Sequence, residues 1–232
     1  MVVGSPVRVT GTVTPHPAGI QLTLQQRHGG GWLAIGDAQA RPTGAFSFVA
    51  RPQRVGIATY RVVTAQGTSF VGSSARVSVR VLHWVYVTSI PDFVYTVPTP
   101  GSGNLSTDPI LSNGVHYDHP ISIDPGCYNQ WGGNAWVDYI LQRQYQVFAA
   151  TVGLGDSAPA GSTATYTLIG AGKKLASGSL AVGSAKKLKV SVSGIYRLRV
   201  EVNVPDPTGA AGCGGSGSFT QVVFGDAELL GP

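Results

Sequence analysis

The stretch Thr163-Ala164-Thr165-Tyr166-Thr167-Leu168-Ile169 alternates polar and apolar side chains over most of its length. Successive side chains of a β-strand point to opposite faces of its sheet. This period of two therefore predicts a strand with one buried face and one face in water. The residues on either side indicate what kind of sheet the strand joins.

The same alternation recurs on both sides of this stretch. Residues 187–192 place lysines on the wet face, residues 196–202 place arginines there, and residues 137–141 and 146–154 predict further strands. We predict that residues 114–123 form two strands joined by a turn, and that the segments 221–224 and 226–230 close the domain. Residues 98–113 show no periodicity and predict a long loop, and a short helical turn is expected within 126–136. About eight strands of this kind are typical of a jelly-roll β-sandwich.

The first 82 residues carry their own set of short alternating segments. We predict strands at residues 7–13, 20–27, 32–35, 45–49, 59–63 and 75–81, a pattern typical of a small β-sandwich. Eight arginines and one acid give residues 1–82 a net charge of +7, whereas residues 83–232 carry −2. This change of sign predicts a domain boundary, with one domain at 1–82 and a second at 83–232.

The composition supports an all-β chain. Glycine is abundant at 32 residues, and only 12% of residues are charged, which suits short strands and turns better than helices. No stretch approaches the roughly 18 apolar residues that a membrane-spanning helix needs, so we expect no membrane insertion. The arginines of residues 1–82 are scattered and no aromatic residues interleave them in a stacking pattern, so we expect solvated strand faces and no nucleic-acid partner.

Two cysteines, Cys127 and Cys213, stand in glycine-rich segments. Cysteines in such loops favour a disulfide bond formed in an oxidising compartment, and hence a secreted or cell-surface protein. A bridge between them would close a loop of roughly 85 residues, worth about 4–5 kcal/mol in the chain-entropy model. The alternative is two unpaired thiols in a cytosolic protein.

Several segments of the first domain together resemble a bacterial immunoglobulin-like domain. They are Val9-Thr10-Gly11-Thr12-Val13-Thr14-Pro15, Leu22-Thr23-Leu24-Gln25-Gln26-Arg27, Gly31-Trp32, Gly44-Ala45-Phe46-Ser47-Phe48 and Tyr60-Arg61-Val62-Val63. The resemblance covers residues 4–82. It implies an immunoglobulin-like sandwich that serves as a spacer or stalk.

The second domain resembles the NPCBM family of carbohydrate-binding modules over about residues 84–230. The resemblance depends on the order and spacing of several short pieces. They are Asn113-Gly114-Val115-x-Tyr117, Tyr139-x-Leu141, Tyr145-x-x-Phe148-x-Ala150-Thr151-Val152-Gly153-x-x-Asp156, Gly172-Lys173-x-Leu175 and Phe224-Gly225-Asp226-Ala227-Glu228-Leu229. It implies a β-sandwich that binds a glycan or a cell-wall polysaccharide.

Sugar recognition needs an aromatic ring for the apolar face of the sugar and polar groups for its hydroxyls. The segment 128–136 supplies both, through Tyr128, Asn129, Trp131 and Trp136. A purely structural interpretation places Trp136 in the core and Trp131 as a plug at the mouth of the sandwich. Two further candidate contacts follow from the family resemblance. Asp124 stands where the family usually has a histidine, and Tyr117 belongs to the lead-in segment.

Calcium is the metal that the sequence predicts. Jelly-roll binding modules often carry a structural calcium ion, and Asp118, Asp226 and Glu228 offer carboxylate oxygens for it. We expect no other cofactor. His116 and His119 are interpreted as polar residues at a loop end, because no further ligand completes a zinc set.

No motif for catalysis stands out. A Gly-x-Ser-x-Gly elbow is absent, and Gly170-Ala171-Gly172-Lys173 joins two predicted strands and not a strand to a helix, so it is no phosphate loop. We therefore expect a non-catalytic glycan-binding protein on an immunoglobulin-like stalk. Two alternatives remain, namely a structural or adhesive surface protein whose sandwich binds protein, and the accessory region of a larger glycoside hydrolase.

Overall fold

The computed structural model describes residues 1–14, 19–64, 74–90, 93–96, 104–125, 133–205 and 220–232, with only the backbone described for 93–96. These residues fall into two compact units, Met1–His83 and Trp84–Gly231. The predicted all-β class is confirmed, because the described elements are strands apart from one 3₁₀ turn, Val87–Ser89. None of the described residues forms a helix long and apolar enough to cross a lipid bilayer.

The first unit contains the six strands that alternation predicts. They are β1 (Val7–Thr12), β2 (Gln21–His28), β3 (Gly31–Gln39), β4 (Ala45–Ala50), β5 (Gly56–Thr64) and β6 (Ser74–Val81). β1 pairs with β4, and the other four form an antiparallel sheet in the order β3-β2-β5-β6. Their inward side chains, among them Leu22, Leu24, Phe48 and Tyr60, form one buried cluster. The immunoglobulin-like identity of this unit stays a prediction.

The second unit is a sandwich of two sheets. Its strands are β7 (His83–Tyr86), β8 (Phe93–Thr96), β9 (Asn104–Ser106), β10 (Ile110–Ser112), β11 (Val115–Tyr117), β12 (Ile121–Asp124), β13 (Gly133–Ile140), β14 (Val147–Leu154), β15 (Thr163–Gly170), β16 (Lys173–Ala181), β17 (Ala185–Ser191), β18 (Arg197–Val204) and β19 (Val222–Gly231). Sheet I has the order β17-β14-β19-β12-β9, with β7 also paired to β19, and sheet II has the order β16-β15-β18-β13-β8.

Large apolar side chains fill the space between the two sheets. Phe148, Leu168, Leu198 and Phe224 are fully buried there. The ring of Tyr166 meets the ring of Phe224 edge to face, with the centroids 6.0 Å apart. Because each strand gives every second residue to this core, the intervening residues of both sheets point outward.

Three details of the second unit differ from the sequence predictions. Residues 98–113 were expected to form a loop, but β9 and β10 lie within them, since three-residue strands are too short to show a period. The helical turn expected within 126–136 is wrong for residues 133–136, which belong to β13, and residues 126–132 lie outside the described part. β16 was not predicted as a strand, because its serines and Gly178 hide the alternation.

The hairpin β10–β11 lies against the outer face of sheet I. Its turn residues Asn113 and Gly114 have φ angles of 53° and 70°, as a tight two-residue hairpin turn requires. The hydroxyl of Ser112 donates to the carbonyl of Leu154 at 2.7 Å, and the backbone N–H of Gly114 donates to the carboxylate of Asp156 at 2.9 Å. The outer face of sheet I is therefore partly covered by the chain itself.

Glycines make this close approach possible. A Cβ on Gly153 would lie 2.7 Å from the hydroxyl oxygen of Ser112, and a Cβ on Gly225 would overlap the ring of Tyr117. Gly231 gives the ring of Tyr145 the same kind of space on the adjoining part of β19. Small residues at these points let aromatic rings and the hairpin pack directly on the backbone of sheet I.

Candidate functional site

Sheet II presents an outer face that the described residues leave open. Two cross-strand rows define it. In one row Trp136 of β13 pairs with Glu201 of β18, which pairs with Thr167 of β15. In the next row Asn134 pairs with Asn203, which pairs with Thr165. These side chains line a groove of about 370 Å³, which we call the Trp136 groove.

Two amides lie side by side at one end of the Trp136 groove. The side-chain N–H of Asn203 donates a hydrogen bond to the side-chain oxygen of Asn134. This bond occupies one donor of Asn203 and one lone pair of Asn134, and each amide has further hydrogen-bonding capacity. The pair therefore offers both donors and acceptors at fixed positions, which suits the hydroxyls of a sugar.

An ion pair fixes the other side of the Trp136 ring. Two guanidinium nitrogens of Arg199 donate to the two carboxylate oxygens of Asp138 at 2.8 and 2.9 Å. These hydrogen bonds to Asp138 raise the pKa of Arg199 above its ordinary value. The guanidinium carbon of Arg199 lies 4.9 Å from the centroid of the Trp136 ring, within range of a cation–π contact. Because Asp138 is buried, the arginine and the ring it touches are held in place before any ligand arrives.

A second and larger cleft, of about 480 Å³, lies farther along the same outer face. Glu201 lines both clefts, while Arg143, Tyr196 and Arg197 line only the second. The guanidinium of Arg143 lies 5.8 Å from the Tyr196 ring. This cleft has arginines in place of the paired amides, so the Trp136 groove matches the requirements of neutral sugar binding better, although it is the smaller of the two.

The structure brings one sequence-predicted sugar contact to this groove. Trp136 is half-buried, faces outward from β13 and does not enter the core, so the structural interpretation of Trp136 is wrong. Tyr128, Asn129 and Trp131 lie outside the described residues, and their roles stay predictions.

Tyr117 and Asp124 lie away from the Trp136 groove. Each is only 7% exposed. Tyr117 ends β11 and packs against Gly225 on sheet I, and Asp124 ends β12 beside Asn104 of β9. A ring packed in this way has no open face for a sugar, so the placement does not support a sugar contact for Tyr117. Burial likewise leaves Asp124 little surface for a ligand.

The three acids proposed for calcium do not come together. Asp118 lies 3.4 Å from the ring nitrogen Nδ1 of His116, and both side chains are well exposed. Burial, followed by the negative charge of Asp226, raises the pKa of Glu228 above its ordinary value. The described residues contain no group of three or more His, Cys, Asp or Glu side chains placed to hold a metal. These acids alone do not fit calcium, which takes six to eight oxygens, and the calcium site stays a prediction.

Cys127 and Cys213 lie outside the described residues, so their disulfide also stays a prediction. Gly133, which follows the segment with Cys127, is the register partner of Val204, which lies just before the segment with Cys213. One segment thus ends, and the other begins, next to paired residues of sheet II.

Sequence reasoning missed most of the Trp136 groove. The missed residues are Asn134, Thr165, Thr167, Glu201 and Asn203. Each stands at a polar position of a strand in which polar and apolar residues alternate, and this alternation is visible in the sequence. What the sequence does not show is that β13, β18 and β15 are neighbours in the sheet, because these strands are far apart along the chain.

Solved structures of carbohydrate-binding modules are similar to this chain. One is the CBM51-2 and INT domains of Clostridium perfringens ZmpB in complex with GlcNAc, at 14% identity and a TM-score of 0.46, covering 76% of this chain. Another is the CBM51 of Clostridium perfringens GH95 in complex with methyl-galactose, at 20% identity and a TM-score of 0.44, covering 63% of this chain and 99% of that one. The chain spans 38% of the length of the ZmpB structure. No curated protein sequence matches this chain.

A family model settles the family. The NPCBM/NEW2 domain matches residues 103–228, which is more than half of the chain and runs from β9 into β19. The predicted resemblance of the second domain to this family is thereby confirmed. The chain belongs to the NPCBM/NEW2 domain family.

Proposed function

We propose that the second unit binds a glycan in the Trp136 groove. A sugar ring stacks its C–H face on Trp136, and its hydroxyls bond to the amides of Asn134 and Asn203 and to the carboxylate of Glu201. The observation that carries this proposal is that the partly exposed Trp136 side chain lines one groove together with an amide pair and a carboxylate. All of these side chains project from paired strands, which keep them in place more firmly than loops would.

We infer that this role is non-catalytic. Hydrolysis of a glycosidic bond normally needs two carboxyl groups placed on either side of the bond. Among the described residues of this face, Asp138 is buried in its bidentate bond to Arg199, which leaves Glu201 as the one carboxylate open to a ligand. This arrangement supports binding and not bond cleavage.

We further infer that the protein works outside the cell, with the first unit as a spacer. The glycan-binding family supports this placement, because the polysaccharides such a module would meet are extracellular. The predicted Cys127–Cys213 bridge would agree with it. Peptide mapping without reduction tests the bridge, and recovery of both cysteines as free thiols from protein kept under oxidising conditions would contradict it.

A glycan array tests the binding proposal. The wild type should bind a defined set of glycans, Trp136→Ala should lose that set, and Trp136→Phe should keep part of it because a smaller aromatic ring remains. Tyr196→Ala is the matched control, since Tyr196 is another exposed aromatic residue of this unit and lines only the second cleft.

Each other outcome has a definite meaning. Loss in Tyr196→Ala with binding kept in Trp136→Ala would move the site to the second cleft. A blank array for folded wild type would contradict glycan binding and favour a sandwich that contacts protein.

A further inference from the structure

The outer face of the four-stranded sheet in the first unit gathers arginines around one aromatic ring. Arg27 on β2 is the register partner of Trp32 on β3, and Arg61 on β5 is the partner of Arg76 on β6. The guanidinium carbons of Arg27, Arg61 and Arg76 lie 5.8, 4.3 and 5.4 Å from the centroid of the Trp32 ring. Arg80 lies farther along β6, on the same side of the sheet as Arg76. We call this surface the arginine face.

The sequence pattern did not reveal this arrangement. The arginines are scattered along the chain with no aromatic residues interleaved in a stacking pattern, and solvated strand faces were predicted for them. The sheet nevertheless places three of these arginines around Trp32, because cross-strand neighbours come from different segments. Spacing along the chain does not indicate this grouping.

A single acid stands against the eight arginines of this unit. Asp37 is the single acidic residue among residues 1–82, and its carboxylate accepts a hydrogen bond from Thr23 at 2.6 Å. The described residues of this unit form no ion pair within 4.0 Å. Arg61 donates to the neutral side chain of Gln25 at 2.7 Å. Like charges this close repel one another, and an anion placed among them would remove that repulsion.

We propose that the arginine face binds an anionic polysaccharide. A guanidinium group presents a planar fork of donors that pairs with a carboxylate or sulfate through two hydrogen bonds. Neighbouring strands are about 4.8 Å apart, so the face offers several such forks at short and regular spacing to a chain with repeated negative charges. Release of counterions from that chain would add to the affinity.

Nucleic acid is the weaker match to the same face. Proteins that bind single strands without sequence preference stack bases on exposed aromatic rings. Trp32 is the single aromatic residue among the described outward positions of this sheet, so the sheet offers one ring and not a row of stacking surfaces. A polymer that offers charge without bases therefore fits the face better.

The test uses the full chain carrying Trp136→Ala, so that glycan binding by the second unit does not contribute. The acidic probes are an oligogalacturonate and dextran sulfate. Their uncharged partners are the fully methyl-esterified oligogalacturonate and dextran, and a single-stranded oligothymidylate serves as the nucleic-acid probe. Affinity is measured by calorimetry at two salt concentrations.

Two triple variants carry the same change in net charge. Arg27→Gln, Arg61→Gln and Arg76→Gln together remove the arginine face, whereas Arg8→Gln, Arg41→Gln and Arg54→Gln remove three exposed arginines elsewhere in the unit. We expect the first triple to weaken binding of the acidic probes about tenfold or more, because charge-assisted bonds are lost, and the second to weaken it about threefold at most. Circular dichroism checks that both triples are folded.

Any of four results would overturn the proposal. They are equal losses in the two triples, binding of the uncharged partners as tight as that of the acidic probes, tighter binding of the oligothymidylate, and absence of any binding. None of these results bears on the Trp136 groove, because the groove is disabled throughout.

Discussion

The two outer faces of the sandwich in the second unit are built differently. The outer face of sheet I is packed against the hairpin β10–β11, with the ring of Tyr117 on Gly225 and the hydroxyl of Ser112 bonded to the carbonyl of Leu154. The outer face of sheet II stays open and displays Trp136 beside an amide pair. One face thus uses its outward residues for packing, and the other leaves them exposed.

The residues that carry the family resemblance lie mostly on the packed side. Gly153, Gly225 and Tyr117 set the approach of the hairpin, and Asp156 accepts the hydrogen bond that fixes its turn. These contacts give each of these residues a part in packing the hairpin on sheet I. The motif therefore indicates the fold and the family, whereas the residues that we propose to contact a sugar lie on the outer face of sheet II.

The largest expected effect tests the packed face. Gly225→Ala puts a methyl group into the ring of Tyr117, and we expect the free energy of unfolding to fall by about 2–3 kcal/mol, as overpacking does in other cores. Urea unfolding measures it. Gly155→Ala is the control, because a Cβ there meets its neighbours at ordinary distances of 3.5 to 3.7 Å.

The same contact can be tested by a double-mutant cycle. In a Tyr117→Ala background, Gly225→Ala should cost much less, because the atoms that it would strike are gone. An equal loss of unfolding free energy in both backgrounds would show that the ring of Tyr117 is not the reason why position 225 excludes a larger side chain.

An intermediate effect tests how the open face is held. Asp138→Asn removes the charge that receives both guanidinium bonds of Arg199, and we expect a loss of about 1–3 kcal/mol in unfolding free energy. Glycan affinity should fall as well, since Arg199 would no longer be fixed against Trp136. Arg199→Lys, which keeps the charge and loses the two-pronged bond, should reproduce part of both losses. Unchanged stability and affinity in Asp138→Asn would contradict this view of the open face.

The smallest expected effect returns to the packed face. Asp156→Ala removes the acceptor of the Gly114 N–H at the exposed tip of the hairpin, and we expect a cost of about 1 kcal/mol. Glycan affinity should not change. A loss of affinity without a loss of stability would mean that the hairpin also contributes to ligand binding, which would break the distinction between the two faces.

The fold could be predicted from the sequence wherever strands were long and alternated cleanly. All six strands of the first unit and the long strands β13, β14, β15, β17 and β18 follow this rule. The short strands β9 and β10 could not be found this way, and the bulge near Asp226, whose φ is 44°, split β19 into two predicted segments. Alternation is a local signal and fails where a strand is short or interrupted.

The Trp136 groove was less accessible to sequence reasoning. Trp136 was singled out because it stands among glycines and amides, but Asn203 and Thr165 were not, since they become its neighbours only through strand pairing. Tyr117 shows the opposite case. It was chosen by family resemblance, and the structure uses its ring to pack on Gly225. Pairing of distant strands, which no local pattern reveals, decides both cases.

We propose that Trp136 serves the ligand more than the fold. The direct measurement is the affinity of wild type and Trp136→Ala for a glycan identified on the array, taken together with the urea unfolding of both. We predict that affinity falls about tenfold or more while the unfolding free energy changes by about 1 kcal/mol or less. Unchanged affinity in a folded Trp136→Ala variant would contradict the account and place the glycan elsewhere, with Trp131 the next residue to replace.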